Sequence, residues 1–143
     1  MHCEKVELQE LYLIRLNPGD DIQESLKEAA KRLGMANGII LGGVGSTSSY
    51  HYHVVSTGVN PPEEIYPKGK APADILSVSG MILNGKVHAH VSFSNDRVAY
   101  GGHLEPGTTV LTFSTILIAK IGNDIEGWDR IDSIEHILAQ RKL

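Results

Sequence analysis

Val87-His88-Ala89-His90-Val91-Ser92-Phe93-Ser94 decides the fold of this 143-residue chain. Apolar and polar residues alternate across it without a break, the period of a strand buried on one face. Val87, Ala89, Val91 and Phe93 point to a core, while His88, His90, Ser92 and Ser94 point away from it. Asn84-Gly85, just upstream, is the strongest short hairpin signal, and Ile75 to Leu83 reads as the strand before it. Downstream, Asn95-Asp96 supplies a two-residue turn and Arg97 to Leu104 returns alongside. Glu105-Pro106-Gly107 turns once more into Thr108 to Ile121, which is rich in β-branched residues. The second half is therefore expected to be an antiparallel meander.

The first half adds one clear helix. Val6 to Leu16 reads as a strand ended by Asn17-Pro18-Gly19. Asp21 is placed to cap a helix, with Glu24 completing a capping-box pattern. Ile22, Leu26, Ala29, Ala30 and Leu33 fall on one face, and Gly34 is placed to end it. The run Gly38 to Gly45 lacks the Gly-Lys-Ser/Thr of a phosphate loop, so it reads as a bulged strand or a close approach of backbones. Tyr50, Tyr52 and Val54 alternate with His51, His53 and Val55 in a further strand, and Ser56 to Ala73, dense in Pro and Gly, reads as a long surface loop. A short amphipathic helix is expected over Ser133 to Gln140, with Asp132 as its cap and Glu135 completing a second capping box. The fold class is α+β: one domain over residues 1–143, a mostly antiparallel sheet, one helix after the first strand and a short helix at the C-terminus.

Composition narrows the function. The net charge is −4 and the pI about 5.9, a poor match to a phosphate backbone, and no apolar run is long enough to span a bilayer. One cysteine, Cys3, forms no intramolecular disulfide, which suits a reducing, cytoplasmic setting. No Ser-His-Asp, Cys-His or paired-carboxylate motif stands out, and a zinc deaminase pattern needs more than one cysteine.

The seven histidines are the informative feature. With Asn95-Asp96 as a two-residue loop, Ser94 pairs with Arg97, His90 faces Gly101 and His88 faces His103. His88, His90 and His103 then converge on one patch of the sheet, with Gly101 leaving space above the backbone. Three imidazoles on rigid strands with an open fourth position are a first shell for Zn²⁺, although nickel, iron or manganese would also suit it. Glu105, two residues beyond His103, is a candidate fourth ligand or base. His51 and His53 share a face without a third partner and read as surface or interface residues. His136 reads as solvated.

The same residues carry a family resemblance. His88-x-His90-x-Ser92 followed by Gly101-Gly102-His103-Leu104 resembles the signature of the plants-and-prokaryotes conserved domain. Arg15 to Asp20, Gly38 to Ser46, Asp74 to Gly80 and Pro106-Gly107 resemble its other elements in order. The resemblance implies a compact domain that assembles as a homotrimer, with a divalent metal, zinc first, on His88, His90 and His103. Where prokaryotic relatives usually place a Glu after Pro-Gly, this chain has Thr115. The family has long carried a DNA-binding label, but this chain has neither the AT-hook of the plant members nor a block of Lys and Arg. The sequence thus points to a homotrimeric metal-binding protein with a place for a small-molecule ligand at the ion. Any catalysis would be of a metal-dependent hydrolase or lyase type. A DNA-associated or oligomerisation module is the alternative.

Overall fold

The computed structural model describes residues 1–141. In chain order the elements are β1 (Leu8–Leu16), α1 (Ile22–Arg32), β2 (Gly38–Val55), β3 (Glu64–Ile65), β4 (Lys68–Leu83), β5 (Lys86–Ser94), β6 (Ala99–Leu104), β7 (Val110–Ile121) and α2 (Glu135–Arg141). All strands belong to one antiparallel sheet in the order β1-β7-β2-β4-β5-β6, with the short β3 on β2. The architecture is the expected α+β one. No helix among the described residues is long and apolar enough to cross a membrane.

Local chemistry explains most of the elements. The inward residues of β5 are all buried, and Phe93 and Ala89 are wholly so. Asn84 and Gly85 both take positive φ, 50° and 76°, the backbone of a primed hairpin turn that joins Leu83 to Lys86. Helix α1 starts where the Asp21 carboxylate accepts the Glu24 N–H at 2.9 Å. The reciprocal half of the box is not made, because Glu24 pairs with Lys27 instead. Ile22 and Leu26 are fully buried under α1, each contributing about 1.5–3 kcal/mol of apolar burial. Gly34 ends the helix at φ 56°.

Three expectations are corrected. First, Gly38 to Gly45 and Tyr50 to Val55 are one 18-residue strand, bulged on its way. Second, the long loop is shorter than its composition suggests. Lys68 to Ala73 already belong to β4, because the extended edge of β2 offers hydrogen-bonding partners as far as His51. Pro72 is tolerated there because it falls within a bulge, between the rungs Thr47–Ala73 and Ser49–Lys70. Third, α2 begins at Glu135 without the Asp132 cap, since Asp132 turns to Arg130 at 3.1 Å.

The expected meander ends at β6, because β7 pairs with β1 and β2 and not with β6, and one long-range pairing shapes the rest of the sheet. Strand β2 pairs with β4 on one edge; on the other it pairs first with β7 and then, at Tyr52 and His53, with Leu104 and His103 of β6. Because β4, β5 and β6 follow one another, these rungs close β2-β4-β5-β6 into a ring. Its interior is aromatic: Tyr100 lies 5.1 Å from Tyr50 and 5.3 Å from Phe93 between ring centroids. Glycine makes the closure possible. A Cβ on Gly102 would stand 2.5 Å from the His53 carbonyl oxygen and 2.6 Å from Val54 Cγ1. Gly102→Ala is therefore expected to cost about 1–3 kcal/mol through overpacking, lowering the melting temperature by roughly 5 °C or more. A thermal melt indistinguishable from the parent chain would show that β2 and β6 are not tightly closed.

Candidate metal centre

Strand alternation sends His88 and His90 out from β5, on the face opposite the buried valines. His103 leaves β6 on the same side, but its partner across the sheet is His90 and not His88. The turn is the reason. The Asn95 side chain accepts the N–H groups of Arg97 and Val98 at 2.9 and 3.1 Å, and Asn95 N–H donates to the Val98 carbonyl. That network makes a four-residue loop, Asn95 to Val98, and Ser94 pairs with Ala99. The strand slides by two residues relative to the expected register. An even slip keeps every side chain on its face, so the three histidines still converge. Gly101 faces Ser92 and not His90, and its glycine serves the backbone: at φ 158° a Cβ would meet the Val91 carbonyl oxygen at 2.1 Å.

The imidazoles form a close group. His103 stands 4.6 Å from His88 and 5.5 Å from His90 between ring centroids, and His88 and His90 stack at 5.4 Å. One ring nitrogen from each of His88, His90 and His103 lies within 4.8 Å of the others.

A fourth histidine joins them that sequence reasoning assigned to the surface. His53, opposite His103 across β2 and β6, stacks on its ring at 4.3 Å. Its Nδ1 lies 2.6 Å from Glu105 Oε1 and its Nε2 lies 3.6 Å from Glu64 Oε1. Glu105 reaches this face because its own N–H bonds the His51 carbonyl, which carries the β2 pairing one residue past β6. His53, His103 and Glu105 thus make a second set of donor atoms within 4.8 Å, sharing His103 with the first. The only hint of His53 in the sequence is its alternation, because its partner lies fifty positions away. Asp129, with Oδ2 3.7 Å from His88 Nδ1, is a second unforeseen neighbour. His51 stays apart, its Nδ1 2.7 Å from the Pro106 carbonyl oxygen, and His136 is exposed. Thr115 pairs with Arg15 and Val44 on other strands.

Electrostatics favours neutral rings. Burial, and then the neighbouring His53, His88 and His90, push His103 down to about 4. Burial, followed by His88 and His53, also lowers His90. Both rings therefore keep free lone pairs at neutral pH, the form that ligates a cation. The donor set fits a divalent ion: imidazole nitrogens, with a carboxylate near His88 of the kind that orients ligating rings. The same shifts link stability to acid. Below the unfolded-state value near 6.5 the unfolded chain binds a proton at His103 that the folded chain refuses. Metal-free protein is thus expected to lose stability as pH falls from about 6.5 to about 4, and His103→Gln to flatten that decline. Chelator-treated melts across this window, showing equal slopes for both proteins, would contradict it.

Comparison with known proteins identifies the family and the fold. Residues 4–122 match the model of the Plants and Prokaryotes Conserved (PCC) domain. The fold is similar to that of a metal-containing protein from Archaeoglobus fulgidus, with TM-score 0.74, 23% identity and coverage of 87% of this chain and 88% of the other. A plant- and prokaryote-conserved protein from Pyrococcus horikoshii is similar at TM-score 0.71 and 26% identity, covering 88% and 89% of the two chains. The bifunctional protein GlmU of a Synechococcus strain is 31% identical over 111 residues, which are 76% of this chain. This chain spans only about a sixth of the length of the two GlmU proteins it matches, at 16% and 17%. With the family match running through strands β1 to β7, the chain belongs to the Plants and Prokaryotes Conserved domain family.

Proposed function

We propose that the protein binds one divalent metal ion, zinc in the first instance, through His88, His90 and His103, and works as a homotrimer. The observation that carries the metal reading is the meeting of three ring nitrogens within 4.8 Å on rigid strands. The metal-containing relative of the same fold supports it. A bound divalent ion would polarise a carbonyl or acidify a water molecule, the chemistry of a hydrolase or lyase. Glu105, already bonded to His53, suits the role of a positioned base better than that of a fourth ligand. The DNA-associated alternative is disfavoured because Glu64, Glu105 and Asp129 border the histidines and would repel a phosphate backbone. Tag-free protein is expected to retain close to one metal ion per chain by elemental analysis, and His88→Ala or His103→Ala to lose most of it. Equal metal content in all three would refute the site.

The trimer reading draws on the outer face of the sheet. Leu11 and Leu13 of β1, Leu41 and Val44 of β2, and Phe113 and Leu117 of β7 are all exposed, Leu13 at 71%. Strand pairing places Leu13 beside Leu117 and Leu117 beside Gly42, so exposed apolar residues of three neighbouring strands adjoin on one face, the kind of surface that marks an interface. Threefold closure follows the family resemblance. Light scattering is expected to give three times the 15.5 kDa chain mass, and Leu13→Glu to shift it toward the monomer. A parent chain that runs as a monomer at micromolar concentration would overturn this reading.

A further inference from the structure

The histidine face changes character within one row of the sheet. His88 of β5 is paired with Met81 of β4, and Met81 with Ile39 of β2, so the three side chains stand in line on the outer surface. The segment after β7 folds back over this row, and Ile39, Met81 and Trp128 all pack against the buried Leu83, Ile121 and Ile125 in a small apolar cluster of their own. Between the row and the segment lies a cavity of about 420 Å³, within the usual range for small-molecule sites. Its walls are hydrocarbon and indole. The polar groups that line it are His88 and two carboxylates, Glu4 and Asp129, with no Lys or Arg among the lining residues. Glu4 is held by the Asn123 side-chain amide at 3.3 Å, and Asp129 lies 3.7 Å from His88 Nδ1. Trp128 also keeps its indole N–H buried without an acceptor.

We propose that this cavity binds a small organic amine, with its hydrocarbon body against Ile39, Met81 and Trp128 and its ammonium group between Glu4 and Asp129. Apolar walls select for a hydrocarbon, and charge decides the head group. An ammonium meets two carboxylates with no competing cation in the lining. A carboxylate ligand of the same shape would be pressed against them, so the site rejects it by repulsion as well as by lost attraction. An alcohol of that shape gains the apolar contact and at most a neutral hydrogen bond, without the ionic attraction. The site borders the metal centre through His88 but takes its selectivity from groups outside the proposed ligand set, so it stands independently of the metal reading.

Trp128 is the only tryptophan in the chain, so its fluorescence reports on the cavity directly. The probes are 3-methylbutylamine, 3-methylbutanol and 4-methylpentanoate, none of which absorbs or emits in the tryptophan range. The expected result with the purified 143-residue chain is a saturable change with the amine, weaker binding of the alcohol, and binding of the carboxylate at least about tenfold weaker than the amine. Asp129→Asn, at a partly exposed side chain, is expected to weaken amine binding about fivefold and leave the alcohol unchanged. Met81→Arg, which fills the cavity and reverses its charge, is expected to abolish amine binding, with circular dichroism confirming the fold. Treatment with a chelator should leave amine binding intact. Equal affinity for amine and carboxylate, loss of amine binding on chelation, or no saturable response to any probe would each overturn the proposal.

Discussion

Two rungs, Tyr52 to Leu104 and His53 to His103, tie the middle of the chain to the end of the meander. Without them β4, β5 and β6 would form an open extension of the sheet, with β6 as a bare edge. With them, four strands wrap an aromatic interior in which Tyr50, Tyr52, Phe93 and Tyr100 fill the space between backbones. The approach is so close that only glycine fits at 102. The site depends on the same rungs, because they bring His53 onto His103 and set Glu105 beside it.

The electrostatics of the histidine face follow from this crowding. Four imidazoles within stacking distance repel one another when protonated, and partial burial withdraws the water that would soften the repulsion. His90 and His103 are held neutral, and neutral rings are ligands. Carboxylates stand at the edges and not among the three strand histidines: Glu105 and Glu64 at His53, Asp129 at His88. Under the proposed metal reading, a divalent ion would restore the positive charge that the protons cannot bring, and the carboxylates outside would hold ligating rings in orientation.

Much of this was legible before folding was considered. Asn84-Gly85 announced its turn because both residues tolerate positive φ, and Asp21 announced α1 because its carboxylate caps a free N–H. The convergence of His88, His90 and His103 was legible from alternation, and it withstood a misread turn because the slip was even. The β2 edge was harder to read. Glycine and proline between Ser56 and Ala73 have the composition of a loop, yet Lys68 to Ala73 are held as strand by partners 17 to 26 positions upstream. Asn95-Asp96 has the local pattern of a two-residue turn, and nothing local shows that the Asn95 side chain bonds two N–H groups ahead.

By itself, then, the sequence determined what depends on neighbours along the chain: the strand and helix periods, the Asp21 cap, the primed turn, and the face on which each strand histidine lies. The tertiary structure alone decided which strands distant in the chain meet. Pairing between positions fifty residues apart is selected by how the whole sheet buries its aromatic side and satisfies its backbone, and no local pattern encodes that choice. For that reason His88, His90 and His103 could be named from alternation, whereas His53, Asp129 and the cavity beside Met81 came into view only once the ring had closed and the segment after β7 had folded over it.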